Sequence, residues 1–231
     1  MKLLALDTSS IACSVALQLD DAVTERHEEQ PREHTRLLIP MIRSLLEEAR
    51  IELAELDAIV LGNGPGSFIG MRIAASVAQG LAYGSGLNIV PVSSLAAVAA
   101  QVFAEHDATE VVVTQDAHMH EVYLGIFETD ESGLPLAKMP ERLQGQEAIA
   151  ELAVASQGQR CAAGSGWERY PLILEKNRNR IDRLTGVVYP RARYLLALGE
   201  AENRAAKSIP PEDILPAYLR QKVANRPDER R

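Results

Sequence analysis

The sequence predicts an α/β protein of two related lobes, each a mixed β-sheet flanked by helices. Three observations predict it. Strand and helix patterns alternate through the 231 residues. Each half opens with an antiparallel meander and then passes to strand–glycine turn–helix units. The order of elements in the first half recurs in the second.

Residues 2–6 (KLLAL) read as a buried strand that ends at Asp7-Thr8-Ser9-Ser10, a cluster of small hydrogen-bonding turn residues. Residues 12–19 alternate as a second strand, and Asp20-Asp21 turns the chain into a third near 22–29. An amphipathic helix follows over about 33–50, with Leu37, Leu38, Met41, Ile42, Leu45, Leu46 and Ala49 at helical spacing. Pro40 lies inside it and is expected to disturb its first turns. Residues 57–61 form a buried strand that runs into Gly62-Asn63-Gly64-Pro65-Gly66-Ser67. Ser67 is placed to cap a helix over about 67–84, which carries Gly70, Ala74, Ala75, Ser76, Ala78 and Gly80. Small residues at that density let another backbone approach closely. A short strand at 88–92 and an Ala/Val helix over 93–104 close the half.

The second half repeats this order. The strand 111–115 ends at Asp116 as the first strand ends at Asp7, and 121–127 forms the returning strand. A turn at 129–133, a short third strand and a helix near 145–155 follow. Strand 160–163 then meets Gly164-Ser165-Gly166, the counterpart of Gly64-Pro65-Gly66, and helices near 167–176 and 190–206 complete the half. The expected division is an N-terminal lobe at 1–104, a C-terminal lobe at 105–216 and a charged tail at 217–231. The tail holds five basic residues against two acidic ones.

Apolar residues make up 46% of the chain but aromatics only 4%, so the core must be aliphatic. A net charge of −8 argues against a large nucleic-acid surface, which needs clustered Lys and Arg. Cys13 and Cys161 are two separated thiols without metal-ligand spacing. With no signal peptide or transmembrane span, they point to the reducing cytoplasm and away from a membrane.

An aspartate that closes a strand before a Thr/Ser turn suits phosphate binding: amides and hydroxyls can donate to phosphate oxygens, and the carboxylate can hold a metal or water. Two such hairpins facing across a cleft make the nucleotide site of actin-like ATPases and sugar kinases. Asp7-Thr8-Ser9-Ser10 and the turn from Asp116 to Glu121 are those hairpins here. The alternative is that Asp7 and Thr8 only close a turn. Gly64-Pro65-Gly66-Ser67 offers amides at a helix start, but it lacks the Gly-Lys-Ser/Thr ending of a P-loop and the spacing of a dinucleotide turn. Its other reading is a tight turn where a side chain would clash. No nucleophile constellation appears, and His27, His34, His106, His118 and His120 form neither HxxxH nor HExxH.

Four blocks carry a resemblance. They are LLALDTSSIACSVAL (3–17), GNGPGSFIGMRIAASVAQGLA (62–82), QDAHMHEVYLGIF (115–127) and LPAYLR (215–220), and together they resemble the TsaB (YeaZ) family. Ile69 stands where that family has a threonine, and His118 where it has an arginine. The resemblance implies a duplicated actin-like ATPase fold, of the ribonuclease H-like class. It also implies a role in forming threonylcarbamoyladenosine on tRNA, as a non-catalytic subunit. The partners implied are a TsaD-like transferase bound through the N-terminal lobe, a TsaE-like ATPase in the assembled complex, and a second copy in an isolated homodimer. Contact with tRNA is expected to be only indirect. TsaD-like catalysts carry an HxxxH metal motif at a place that falls on Ser94 and Val98 here. Neither residue is a fit ligand, so no metal and no cofactor are expected. Asp7, Thr8, Ser9 and Asp116 remain candidates for a vestigial nucleotide cleft. Leu38, Ile42, Met71, Ala74, Ala75 and Ala78 are the expected partner-contacting residues on the two N-terminal helices. The competing expectation is a stand-alone actin-like ATPase or small-molecule kinase that uses Asp7 and Asp116.

Overall fold

A computed structural model describes residues 1–145 and 158–220. The helix expected near 145–155 and the tail beyond Arg220 lie outside the described residues. Apolar alternation builds the first sheet from β1 (Lys2–Asp7), β2 (Ala12–Leu19), β3 (Ala22–Glu29), β4 (Ala58–Gly62) and β5 (Ile89–Val92). Its order is β3-β2-β1-β4-β5. The meander is antiparallel, while β4 runs parallel to both β1 and β5.

The second sheet contains β6 (Glu110–Asp116), β7 (Glu121–Thr129), β8 (Pro135–Ala137), β9 (Arg142–Gly145), β10 (Arg160–Ala163) and β11 (Arg183–Leu184). Its order is β11-β10-β6-β7-β8, with β9 also on β7. The meander is again antiparallel, and β10 runs parallel to β6 and β11. The two sheets therefore share one plan, and the molecule has the duplicated α/β, actin-like architecture. β9 was not expected from sequence; it is a short RLQG run without apolar alternation.

The helices follow from capping and spacing. α1 (His34–Ala49) runs unbroken through Pro40. α2 (Phe68–Ser85) is capped by Ser67, whose hydroxyl accepts from Gly70 N. α3 (Ser94–Glu105) is capped by Ser93. The helix expected over 167–176 is two, α4 (Ser165–Arg169) and α5 (Pro171–Asn177), because Pro171 starts a new helix and Tyr170 between them is not helical. The last is α6 (Ala192–Arg204).

Side chains alternate across each strand, so each sheet has two buried faces. Leu4, Leu6, Val15 and Leu17 face α1 and α2. Leu3, Ala5, Val60 and Val90 face the centre of the molecule, where α3 and α6 meet Val111, Val113 and Phe127 of the second sheet. Val112, Leu124 and Ala162 on the far side pack on Trp167 and Ile173. The layers are thus α1/α2, first sheet, α3/α6, second sheet, α4/α5. Helix α6 comes late in the sequence but lies on the first sheet: a Cβ at Gly199 would come 2.4 Å from a methyl carbon of Val60. Ile209 then bridges to Ile89 of β5. No described helix is long and apolar enough to cross a membrane.

Candidate functional site: the inter-lobe cleft and the outer face of α2

Both hairpin turns face one cleft, a cavity of about 1000 Å³. Its walls include Ser9 and Ser10 from the first turn, Asp116, His118 and Met119 from the second, and Gly66 to Gly70. Of the cleft candidates, Ser9 and Asp116 line this cavity, while Asp7 and Thr8 lie beneath it, at 1% and 0% exposure.

Asp7 is consumed by its own chain. Its Oδ1 accepts from Ser9 N at 2.7 Å and from Ser9 Oγ at 2.8 Å. Its Oδ2 accepts from Ser94 Oγ at 2.6 Å. Burial pushes the Asp7 carboxyl above the ordinary carboxylate value, against the opposing pull of the hydrogen bonds from Ser94 and Ser9. Thr8 Oγ1 donates to Gly70 O at 2.7 Å, so this hydroxyl is also spent. Asp7 thus closes the first turn through Ser9, and Thr8 ties that turn to the start of α2.

The glycines explain themselves by contact. A Cβ would lie 2.0 Å from Asp7 Oδ2 at Gly62, 2.2 Å from Ser9 O at Gly66 and 1.9 Å from Thr8 O at Gly70. The glycine-rich motif lets α2 and its turn press on the first hairpin. Ser67 N donates to Ser9 O at 2.6 Å in the same contact.

The second lobe also packs its glycine turn on its own first strand, with Gly164 and Gly166 against Thr114. Val113 pairs with Ala163 and Leu6 with Leu61, so the next residues set Thr114 beside Gly164 and Asp7 beside Gly62. Asp7 and Asp116 hold the same place in the repeat: each is the last residue of its strand, paired across the hairpin with Ser14 and Val122 respectively. Thr114 Oγ1 is buried without a hydrogen-bond partner. Asp116 Oδ1 accepts from His118 N and Tyr170 OH, each at 2.8 Å.

Ser94 and Val98 sit one turn apart on α3. Ser94 Oγ, besides donating to Asp7, accepts from Gly64 N at 3.1 Å. Val98 is fully buried in the central apolar core. Among the described residues, no group of three His, Cys, Asp or Glu side chains could hold a metal ion. Burial pushes the Cys13 thiol up to about 12, an inert position.

The expected contact residues need correction. Leu38, Ile42, Met71, Ala74, Ala75 and Ala78 are all buried, and the five other than Met71 belong to the core under the first sheet. The small residues of α2 bring it onto its own sheet. The stripe facing outward is Ile69, Arg72, Ile73, Ser76 and Tyr83, with Ile69 at 69% and Tyr83 at 80% exposure. The first four of these, with Val77, form a shallow depression of about 370 Å³. The helical period reveals two faces in α2 but not which one is covered. Sequence reasoning also missed the cluster of Phe68, Arg72, Tyr218 and Arg220 at the cleft edge. Its only signal is the LPAYLR block (215–220), which carries part of the family resemblance and straddles the expected start of the tail at Ala217.

A family model described as TsaD, tRNA N6-adenosine threonylcarbamoyltransferase, matches residues 24–226. The chain is 35% identical over 224 residues to the tRNA threonylcarbamoyladenosine biosynthesis protein TsaB of Escherichia coli, covering 97% of this chain and 96% of that protein. Against the protein of the same description from Haemophilus influenzae, identity is 36% over 231 residues, covering 96% and 95%. The solved structure of YeaZ from Pseudomonas aeruginosa matches with a TM-score of 0.84 at 35% identity, covering 94% of this chain and 99% of that one. A Pseudomonas aeruginosa protein described as uncharacterized, with similarity to peptidase YeaZ, gives 0.85 at 36% identity, covering 95% and 99%. Identity of this order over nearly the full length, carried on the same paired sheets, means that the chain belongs to the TsaB family.

Proposed function

We propose that this chain acts in tRNA threonylcarbamoyladenosine biosynthesis, in the cytoplasm, as a non-catalytic subunit that binds and activates a TsaD-like transferase together with a TsaE-like ATPase. The observation that carries the reading is the fate of Ser94 and Val98. The serine hydroxyl is committed to Asp7 and Gly64, and the valine is core. Such a pair cannot ligate a metal in the manner of an HxxxH motif. The outward stripe of α2, in the N-terminal lobe 1–104, supplies the docking surface for the transferase, and for a second copy when the chain is alone. Two large apolar side chains of that stripe, Ile69 and Tyr83, are exposed, and Ile39 of α1 and Phe68 at the start of α2 are exposed as well. The tRNA is held mainly by the partners, in keeping with a net charge of −8.

The cleft of about 1000 Å³ favours one competing reading, a stand-alone ATPase or kinase. That reading needs Asp7 to reach a nucleotide, and Asp7 is 1% exposed with both oxygens bonded. Reconstitution separates the two. Threonylcarbamoyl transfer to tRNA should require this chain together with the transferase, the TsaE-like ATPase and the threonylcarbamoyl-adenylate synthase, and should stop when this chain is omitted. Metal-dependent ATP hydrolysis by the purified chain, abolished by Asp7→Ala, would instead establish the kinase-like reading.

A further inference from the structure

The segment Leu215–Arg220 belongs to neither sheet, yet it is fastened to both lobes. At its start, Asn63 Nδ2 donates to Leu215 O at 3.0 Å and Ala217 N donates to Asn63 O at 3.1 Å, which pins it just beyond β4. In its middle, the Tyr218 ring lies 5.4 Å from the Phe68 ring at the start of α2. Tyr218 OH accepts from Arg72 Nε at 2.8 Å, and the same guanidinium sits 3.7 Å over Phe68. At its end, Arg220 Nη2 donates to Ala117 O at 2.8 Å and pairs with Glu121 Oε2 at 2.6 Å. That ion pair is largely shielded, with side-chain exposures of 14% and 31%.

The turn that Arg220 grips is unusual. His118, Met119 and His120 have φ of 59°, 56° and 61°, three successive side-chain-bearing residues in the left-handed region. Each such residue is strained and persists only where its surroundings over-determine it. Arg220 supplies part of that determination across the cleft. Tyr218 and Arg220 are two residues apart, so the chain between them spans at most about 7 Å and has little slack. Arg72 and Phe68, at the other fastening, adjoin the outward stripe of α2.

We propose that Leu215–Arg220 is a latch that couples the outward face of α2 to the 117–121 turn, so that a protein docking on that face also steadies the turn across the cleft. The identity of the docking protein rests on the function proposed above; the latch itself does not.

Amide exchange of the full chain tests it. Replacing Arg220 (Arg220→Ala) should speed exchange at Ala117, His118 and Glu121 by about tenfold, since it removes a charge-assisted contact that holds a local opening closed. Tyr218→Ala should speed the same amides by a smaller factor although Arg220 is still present. Saturating TsaD-like transferase should slow these amides in the parent chain and leave them fast in Arg220→Ala. Unchanged exchange at 117–121 in both variants overturns the latch. So does a transferase that protects the turn equally in the parent and in Arg220→Ala, because protection would then not pass through the segment. A parent chain that binds no transferase sinks the proposed function instead, and exchange in the isolated chain still decides the latch.

Discussion

Ser94 Oγ lies 2.6 Å from Asp7 Oδ2 and 3.1 Å from Gly64 N, so one hydroxyl ties together the end of β1, the glycine turn and the first turn of α3. Deleting it leaves a buried carboxylate short of a donor and a backbone N–H short of an acceptor. Ser94→Ala is therefore expected to lower unfolding free energy by about 1–3 kcal/mol. Urea unfolding of the variant against the parent measures it. An unchanged midpoint would show that the network re-forms without the hydroxyl.

Two glycines of α2 should answer oppositely to the same change. At Gly70 a Cβ would meet Thr8 O at 1.9 Å, backbone against side chain, whereas at Gly80 nothing lies within 4 Å. Gly70→Ala should prevent stable folding. Gly80→Ala should stabilise by about 0.5–1 kcal/mol through helix propensity. Thermal melts of the isolated chain distinguish the two.

Glu25 and Arg191 hold α6 on the first sheet. Glu25 Oε2 accepts from Arg191 Nη2 at 2.6 Å and from Nε at 3.1 Å, and Oε1 accepts from Arg193 N at 3.1 Å in the first turn of the helix. Since α6 has no side-chain cap of its own, a strand of the other lobe's sheet provides the acidic partner for its amino end. Glu25→Ala should cost about 2 kcal/mol, because it removes charge-assisted hydrogen bonds to Arg191 and to Arg193 N from a carboxylate that is 7% exposed. A double-mutant cycle with Arg191→Ala should give a coupling above about 0.5 kcal/mol. Additive single effects would contradict the pairing.

Stability should depend on pH through Glu141. Burial raises its carboxyl to about 7, opposed by a hydrogen bond from Ser93 Oγ. Above pH 7 it is ionised in both folded and unfolded chains, and the cost of burying the charge is fully present. As pH falls from about 7 towards 4.5, the folded chain takes up the proton first, and stability rises. The gain is at most about 3 kcal/mol. Glu141→Gln should remove this slope and be the more stable protein at pH 8. A parent and variant with parallel pH profiles between 5.5 and 8 would refute it.

The two faces of α2 predict different failures. Ala78 is fully buried, so Ala78→Arg should misfold the chain. Ile69 is 69% exposed, so Ile69→Arg should keep the fold and weaken pairing with the transferase and with a second copy by at least about tenfold. Circular dichroism and analytical ultracentrifugation together read both effects. Full pairing by a folded Ile69→Arg chain would remove this face from the interface.

Much of the architecture is legible in the sequence. Apolar alternation in 12–19, the run in 57–61 and the seven apolar positions of α1 report burial directly, because side-chain direction along a strand or helix is periodic. β9 and β11 were not legible. They are short and polar, and they exist because neighbouring strands offer unpaired backbone groups. The contact residues assigned to α1 and α2 went wrong for a related reason: a small residue shows that something approaches closely, but not whether it is the sheet below or a partner outside.

The sequence by itself determined the two-lobed α/β plan, the placement of both hairpin turns and the serine–valine pair on α3, since all of these depend on local spacing and residue type. Only the tertiary structure decided that Asp7 faces inward to Ser94, that α6 returns to the first sheet, and that Tyr218 and Arg220 join the lobes. Those relationships connect residues from about 80 to 180 positions apart, and strand register and chain crossing, which set them, leave no periodic mark in either partner.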